Sequence, residues 1–254
     1  MTKKYLIFSI TVGIVLGIIG GLFGVTRLLQ AKPVSAASPA DEALLATLTS
    51  HLKWSSVQGE ANIIWFVENG EKQEYVTTFA VQQPNFANIS VKNIDGSGAD
   101  SEWISDGSNS FEIDTKMGNY IRVSLPAFSK DLSKLPTNLE EAGKYDTVYP
   151  HPFGMVIPSP VREYLYPQWL AQGKNIEYKL VGEDTFLDRK VWVIAYTANS
   201  SDVTAFIDVE TGIIVKYTQS IDGKPFEEMT FTQFNVNPEL DGSLFTLPSN
   251  LVSK

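Results

Sequence analysis

From Val57 onward the chain alternates apolar and polar residues with a period of two, the mark of strands with one dry face. Ile64, Phe66 and Glu68 alternate with Trp65 and Val67 up to Asn69-Gly70, a strong hairpin signal, and residues 75–81 form the return strand. Pro84-Asn85-Phe86 opens a strand through Ile89 and Val91, and residues 102–105 run into Asp106-Gly107. Phe111 and Ile113 then point away from Glu112 and Asp114, and Ile121, Val123 and Leu125 repeat the pattern. The rhythm breaks over 126–173 and resumes at 176–181, 191–196, 203–208, 213–217 and 226–236. Glu210-Thr211-Gly212 and Asp222-Gly223 write two of the turns. The alternation predicts ten or eleven antiparallel strands in one twisted sheet, wet on one face and dry on the other.

Helical spacing is scarce. Ser38-Pro39-Ala40-Asp41 reads as a helix start, with Ser38 as cap and Pro39 at the first position. Leu44, Leu45, Leu48 and Leu52 then form one apolar stripe, ended by Trp54. Inside the break, Thr137-Asn138-Leu139-Glu140 is a capping-box pattern. Ser159-Pro160 opens a further helix carrying Tyr164, Leu165, Trp169 and Leu170, which Pro167 shortens. These pieces must cover the dry face. The predicted architecture is therefore mainly β with inserted helices: a strongly curved antiparallel sheet, a half-open β-barrel, with a helical lid or plug on its concave side. Helices too small to fill that side leave a cavity.

The run "HPFGMVIPSPVREYLYPQWL" (151–170) is the candidate cover. Its prolines (Pro152, Pro158, Pro160, Pro167) prevent a regular strand or a long helix. A fixed plug and a displaceable lid both fit it. Trp65, Phe86, Phe153, Met155, Ile157, Tyr164, Leu165 and Trp169 are the candidate cavity and lid residues.

The first 37 residues have a different composition. Lys3 and Lys4 precede 21 uncharged, largely apolar residues (5–25), long enough at 1.5 Å per residue to span a bilayer's hydrocarbon layer. Val34-Ser35-Ala36-Ala37 also fits a signal-peptidase site. An uncleaved anchor and a protein released after cleavage near Ala36 are both open, and each places the rest outside the cytoplasm. The chain divides into 1–29 (anchor or signal), 30–39 (linker) and 40–254 (extracytoplasmic domain).

The cations of the first 37 residues are Lys3, Lys4, Arg27 and Lys32, with no acid. The remainder thus holds 16 cations against 29 acids, a net −13. That balance argues against nucleic acid as a partner. With no cysteine, disulfides, thiolate metal sites and thiol catalysis are excluded. His51 and His151 lie 100 residues apart, so no zinc spacing exists. His51 reads as a helix-end or surface residue. Asp95-Gly96-Ser97-Gly98-Ala99-Asp100 lacks the strand–turn–helix context of a nucleophile elbow and reads as a hairpin connection. No pair of carboxylates is singled out by spacing. The reading is a non-enzyme with no cofactor and no metal.

Five stretches in order carry a family resemblance: Pro84-Asn85-Phe86, "WISDGSNSFEID" (103–114), "GEDTFLDRKVWVI" (182–194), "FIDVETGIIVKYTQSIDGKPFEEMTFTQFNVN" (206–237) and "LDGSLFTLP" (240–248). Together they resemble the LolA-like proteins, the periplasmic lipoprotein carriers and their relatives, which include the sensor that regulates the envelope-stress anti-sigma factor. The resemblance implies a half-closed antiparallel barrel whose helices lid an apolar cavity for lipid or lipoprotein acyl chains. The carriers have an arginine before the Pro-Asn-aromatic motif that helps latch the lid, whereas this chain has Gln83. With the anchor-like N-terminus, that departure points to a membrane-tethered lipid-binding module. The alternative is an extracytoplasmic sensor or regulatory module whose ligand is a polypeptide or a membrane protein partner.

Overall fold

Two meanders build the sheet, and they meet where β1 (Ser56–Phe66) pairs with β11 (Lys224–Val236). Outward from β1 lie β2 (Lys72–Gln82), β3 (Phe86–Asn93), β4 (Ser101–Asp106), β5 (Asn109–Asp114) and β6 (Asn119–Ser124). Outward from β11 lie β10 (Ile214–Ile221), β9 (Ser201–Asp208), β8 (Arg189–Ala198) and β7 (Lys179–Phe186). Every one of these pairings is antiparallel, and the two-residue β12 (Val252–Ser253) adds a parallel edge to β6. The computed structural model describes residues 38–67, 71–96, 100–126, 133, 135–144, 161–173 and 175–254. Within them are the helices α1 (Asp41–Leu48), α2 (Leu139–Ala142) and α3 (Val161–Leu165), and 3-10 turns at Ser50–Leu52, Pro167–Gln172 and Gly242–Phe245. This is the mainly β, open and curved antiparallel sheet with inserted helices that the sequence predicts. The twelfth strand escaped that reading because two residues show no alternation.

Pro39–Lys254 is one compact unit, and two hydrophobic clusters lie inside it, so it carries its own core. No helix among the described residues is long and apolar enough to cross a membrane, and the anchor-like residues 5–25 lie outside them.

The strand order explains the long break in the alternation. β6 and β7 sit ten strand positions apart, about 48 Å across a flat sheet at ordinary strand spacing. The connection between them must travel the width of the sheet, and its described helical part packs on one face: α3 lies against β10, with the Tyr164 and Tyr217 rings 5.4 Å apart.

Register defines the faces, because residues opposite one another across antiparallel strands share a face. One row runs Ile194, Ala205, Tyr217, Met229, Ile63 and Tyr75. This inner face carries α1, α3 and the 167–172 turn, all in one hydrophobic cluster. The expectation of a single dry face fails beyond β3. Phe111 and Ile113 join Ile104 in a second cluster on the outer face, against Leu247 and Leu251 of the C-terminal segment. Ile121, opposite Glu112, belongs to the inner face and stays 47% exposed, as Val123 does at 42%. The dry rows of β5 and β6 thus lie on opposite sides of the sheet.

Helix starts also shift. The cap of α1 is Ala40 rather than Ser38, and the cap of α2 is Asn138, whose side chain accepts from Glu141 N at 2.8 Å. Leu44 and Leu48 are buried, but Leu45 is exposed, and Leu52 is 64% exposed. The stripe breaks because α1 ends at Leu48, and the tighter 3-10 turn that follows rotates Leu52 outward.

Candidate functional site

A cleft of about 450 Å³ opens on the inner face between β1, β10, β11 and the cover, lined by Trp65, Glu163, Tyr164, Trp169, Tyr217, Phe226 and Glu227. Each side chain arrives for a local reason. Trp65 and Glu227 are cross-strand partners, and Gln219 faces Glu227 from the other side. Glu227 continues the inward row of Phe231 and Met229, so an acid stands where the strand pattern wants an apolar residue. Alternation alone would send Phe226 to the opposite face from Glu227. It lines the same cleft because the pairing slips between Gln219 and Ser220, leaving Phe226 unpaired between Pro225 and Glu227. Such an extra residue re-aims its side chain. Phe226 is 42% exposed and stands at the rim.

From the cover, Tyr164 donates to Glu227 Oε1 at 2.7 Å. Trp169 Nε1 donates to the Glu163 carbonyl at 2.9 Å, and its ring meets Tyr217 at 6.2 Å. Pro167 ends α3 and starts the 3-10 turn that swings Trp169 over the cleft, the shortening the sequence predicts. Burial raises the pKa of the Tyr164 phenol far above its ordinary value, and the Glu227 charge adds to the shift. Burial and then Glu227 act on Tyr217 in the same direction. Both phenols therefore stay protonated at neutral pH.

Of the eight residues proposed from the sequence, the structure brings Trp65, Tyr164 and Trp169 together around this cleft. Leu165 lies behind them in the core, fully buried. Phe86 belongs elsewhere: it shares the outer face with Asn88 and Ile104 and packs on Phe245 at 5.7 Å. Its parity is opposite to that of Ala87 and Ile89, which face inward. Phe153, Met155 and Ile157, together with His151, lie outside the described residues. Glu163, Tyr217, Phe226 and Glu227 were missed. For Glu227 a signal existed, the acid in the Phe231–Met229 row. For Phe226 there was none, since a bulge is invisible to alternation.

The described half of the 151–170 run is well packed. Val161, Tyr164, Leu165, Tyr166 and Leu170 are all buried, and Trp54 packs on Tyr166 at 5.3 Å. Gln83 ties the strand side to the segment after α1, donating through Nε2 to the carbonyls of His51 (2.9 Å) and Trp54 (2.7 Å). It binds the helix end with neutral hydrogen bonds.

Several solved structures are similar to this chain at low identity. A chain of the Pseudomonas aeruginosa MucA/MucB complex matches at 17% identity and a TM-score of 0.46, over 84% of this chain and 62% of that one. LprF from Mycobacterium bovis matches at 12% identity and a TM-score of 0.42, over 85% and 99%. A LolA superfamily protein from Nitrosomonas europaea matches at 11% identity and a TM-score of 0.35, over 82% and 97%. The chain spans less than two thirds of the matched chain of the MucA/MucB complex. No family model matches the chain, and no curated protein matches it significantly.

Among the described residues no three His, Asp or Glu side chains are grouped to hold a metal ion. His51 is buried at the joint between α1 and the cover, not on the surface. Its Nδ1 lies 3.4 Å from Gln168 Nε2, and its Nε2 has no hydrogen-bond partner among the described residues. Burial pushes its pKa below 6.5, partly opposed by a hydrogen bond to the Leu48 backbone. The native state therefore takes up a proton less readily than the unfolded chain. Its stabilising contribution is complete above pH 6.5 and is lost as pH falls below that value. Urea unfolding at pH 7.5 and 5.5 should show this loss in the wild type and a flatter profile in a His51→Gln variant. Equal slopes in the two proteins would remove His51 from the account.

Proposed function

We propose that this chain is a non-enzymatic, membrane-tethered extracytoplasmic module that receives acyl chains of a lipid or a lipidated protein in the inner-face cleft. The observation that carries the reading is the cleft's lining: five of its seven residues are aromatic, three from the open sheet and two from the packed helical cover. Its volume of about 450 Å³ falls within the ordinary range of small-molecule sites. Burying ten methylenes releases about 8 kcal/mol. Association costs of roughly 4 kcal/mol or more still leave useful affinity. The family resemblance read from the sequence implies the same ligand class. The tether is residues 5–25.

A chain starting at Ser38 should bind a neutral fluorescent sixteen-carbon alcohol with one-to-one stoichiometry and change the emission of Trp169. A Trp169→Ala variant should bind about tenfold more weakly, the loss of about 1.4 kcal/mol, with a smaller effect on unfolding. Binding unchanged by that substitution would move the ligand away from this cleft. The full-length chain should remain in the membrane fraction after a high-salt wash, and a mature protein beginning at Ala37 would refute the tether.

A further inference from the structure

We infer that the cleft selects amphiphiles whose head group carries an ammonium, a selectivity that rests on the acyl-binding reading above. A purely apolar pocket has no need of Glu227. Its carboxylate nonetheless sits on the inner face, beside Trp65 across the strand pair and under the Tyr164 hydroxyl, and lines the cleft. Among the described residues it has no ion pair. The other carboxylate, Glu163, is neutralised by Arg162, whose Nε donates to it at 2.7 Å. Among the described residues, one negative charge without a counter-ion therefore stands amid the rings of Trp65, Tyr164, Trp169 and Tyr217.

Aromatic faces carry negative quadrupoles, and indole is the strongest side-chain partner for a cation. A carboxylate behind such rings adds direct attraction for the same charge and repels an anionic head group. A quaternary or primary ammonium fits both. A phosphate, sulfate or free carboxylate head in this position meets Glu227 without a counter-ion.

The test uses three amphiphiles with the same twelve-carbon tail: dodecyltrimethylammonium, dodecyl maltoside and dodecanoate. Each is titrated by calorimetry below its micelle concentration, in about 0.15 M salt, where charges farther apart than about 8 Å are screened. The chain starting at Ser38 should bind the ammonium compound about tenfold or more tightly than the maltoside, and dodecanoate most weakly. A Glu227→Gln variant keeps an acceptor for Tyr164 and should lose most of the preference for the ammonium head over maltoside. Glu228 points to the opposite face, paired with Ile64. A Glu228→Gln variant changes the net charge identically and should keep the full preference. Equal binding of all three amphiphiles, or an equal loss in both variants, overturns the ammonium inference while leaving acyl binding intact. Binding of none overturns both.

Discussion

An Arg189→Met variant should lose about 3–5 kcal/mol of unfolding free energy, the cost of stranding a buried charge. The Asp208 side chain is only 1% exposed, at the end of β9. Arg189 grips it with a two-pronged contact, Nε to Oδ2 at 2.6 Å and Nη2 to Oδ1 at 3.1 Å, and also reaches Glu210 at 2.7 Å. Thr211 adds its backbone N–H and hydroxyl to Oδ1, at 2.8 and 2.7 Å. Removing the guanidinium leaves the carboxylate with the Thr211 donors and, among the described residues, only the more distant charge of Lys53. Adding Asp208→Asn to the variant should recover part of the loss, because the stranded charge disappears while an acceptor for Thr211 remains. Arg189→Lys should cost less than methionine but more than nothing, since a single ammonium cannot reproduce the planar fork. Denaturant titration of the four proteins checks the series. A methionine variant within about 1 kcal/mol of wild type would show that solvent reaches Asp208, contrary to the 3–5 kcal/mol expected.

The same turn gives the second large effect. Gly212 has φ +73, and a Cβ there would stand 2.0 Å from the Ala46 carbonyl oxygen and 2.6 Å from its carbon. Alanine would therefore carry two penalties, left-handed backbone strain of about 1–2 kcal/mol and forced displacement of α1 worth roughly 1–3 kcal/mol. Gly223 separates the two. Its φ is +74, yet a Cβ there would meet nothing within 4 Å, so Gly223→Ala should show the backbone strain alone. Thermal or urea unfolding of both variants makes the comparison. Equal losses would mean that α1 yields freely at Ala46. Because α1 packs on the 167–172 turn, Gly212→Ala should also weaken acyl binding through the placement of Trp169, whereas Gly223→Ala should not.

The type of element was legible wherever local periodicity specifies it. Alternation marked a strand in each region where the structure has one of the eleven longer strands, although β7 spans Lys179–Phe186 rather than 176–181, and Asp222-Gly223 marked a turn in which both residues take positive φ, 50° and 74°. Pro167 announced the break between α3 and the 3-10 turn because a missing N–H and a fixed φ act through local geometry. Trp65, Tyr164 and Trp169 were identifiable as cleft residues, being large apolar side chains on a strand and a cover with one common face to fill.

What lay beyond the sequence depended on pairing partners distant along the chain. Which face of the outer meander is dry was decided by the C-terminal segment, whose Leu247 and Leu251 cover Phe111 and Ile113. No pattern within β5 encodes that cover. Phe86 was placed at the cavity on its aromatic character, and register put it on the other face. Phe226 joined the cleft through a slip in pairing with β10, and His51 is buried beside Gln168, 117 residues on. The sequence by itself determined a curved antiparallel sheet with a helical cover, because strand periodicity and proline geometry act within a few residues. The tertiary structure alone decided that Glu227 and Glu163 share an aromatic cleft and that, among the described residues, only Glu163 is neutralised there, because charge compensation depends on neighbours that long-range packing selects.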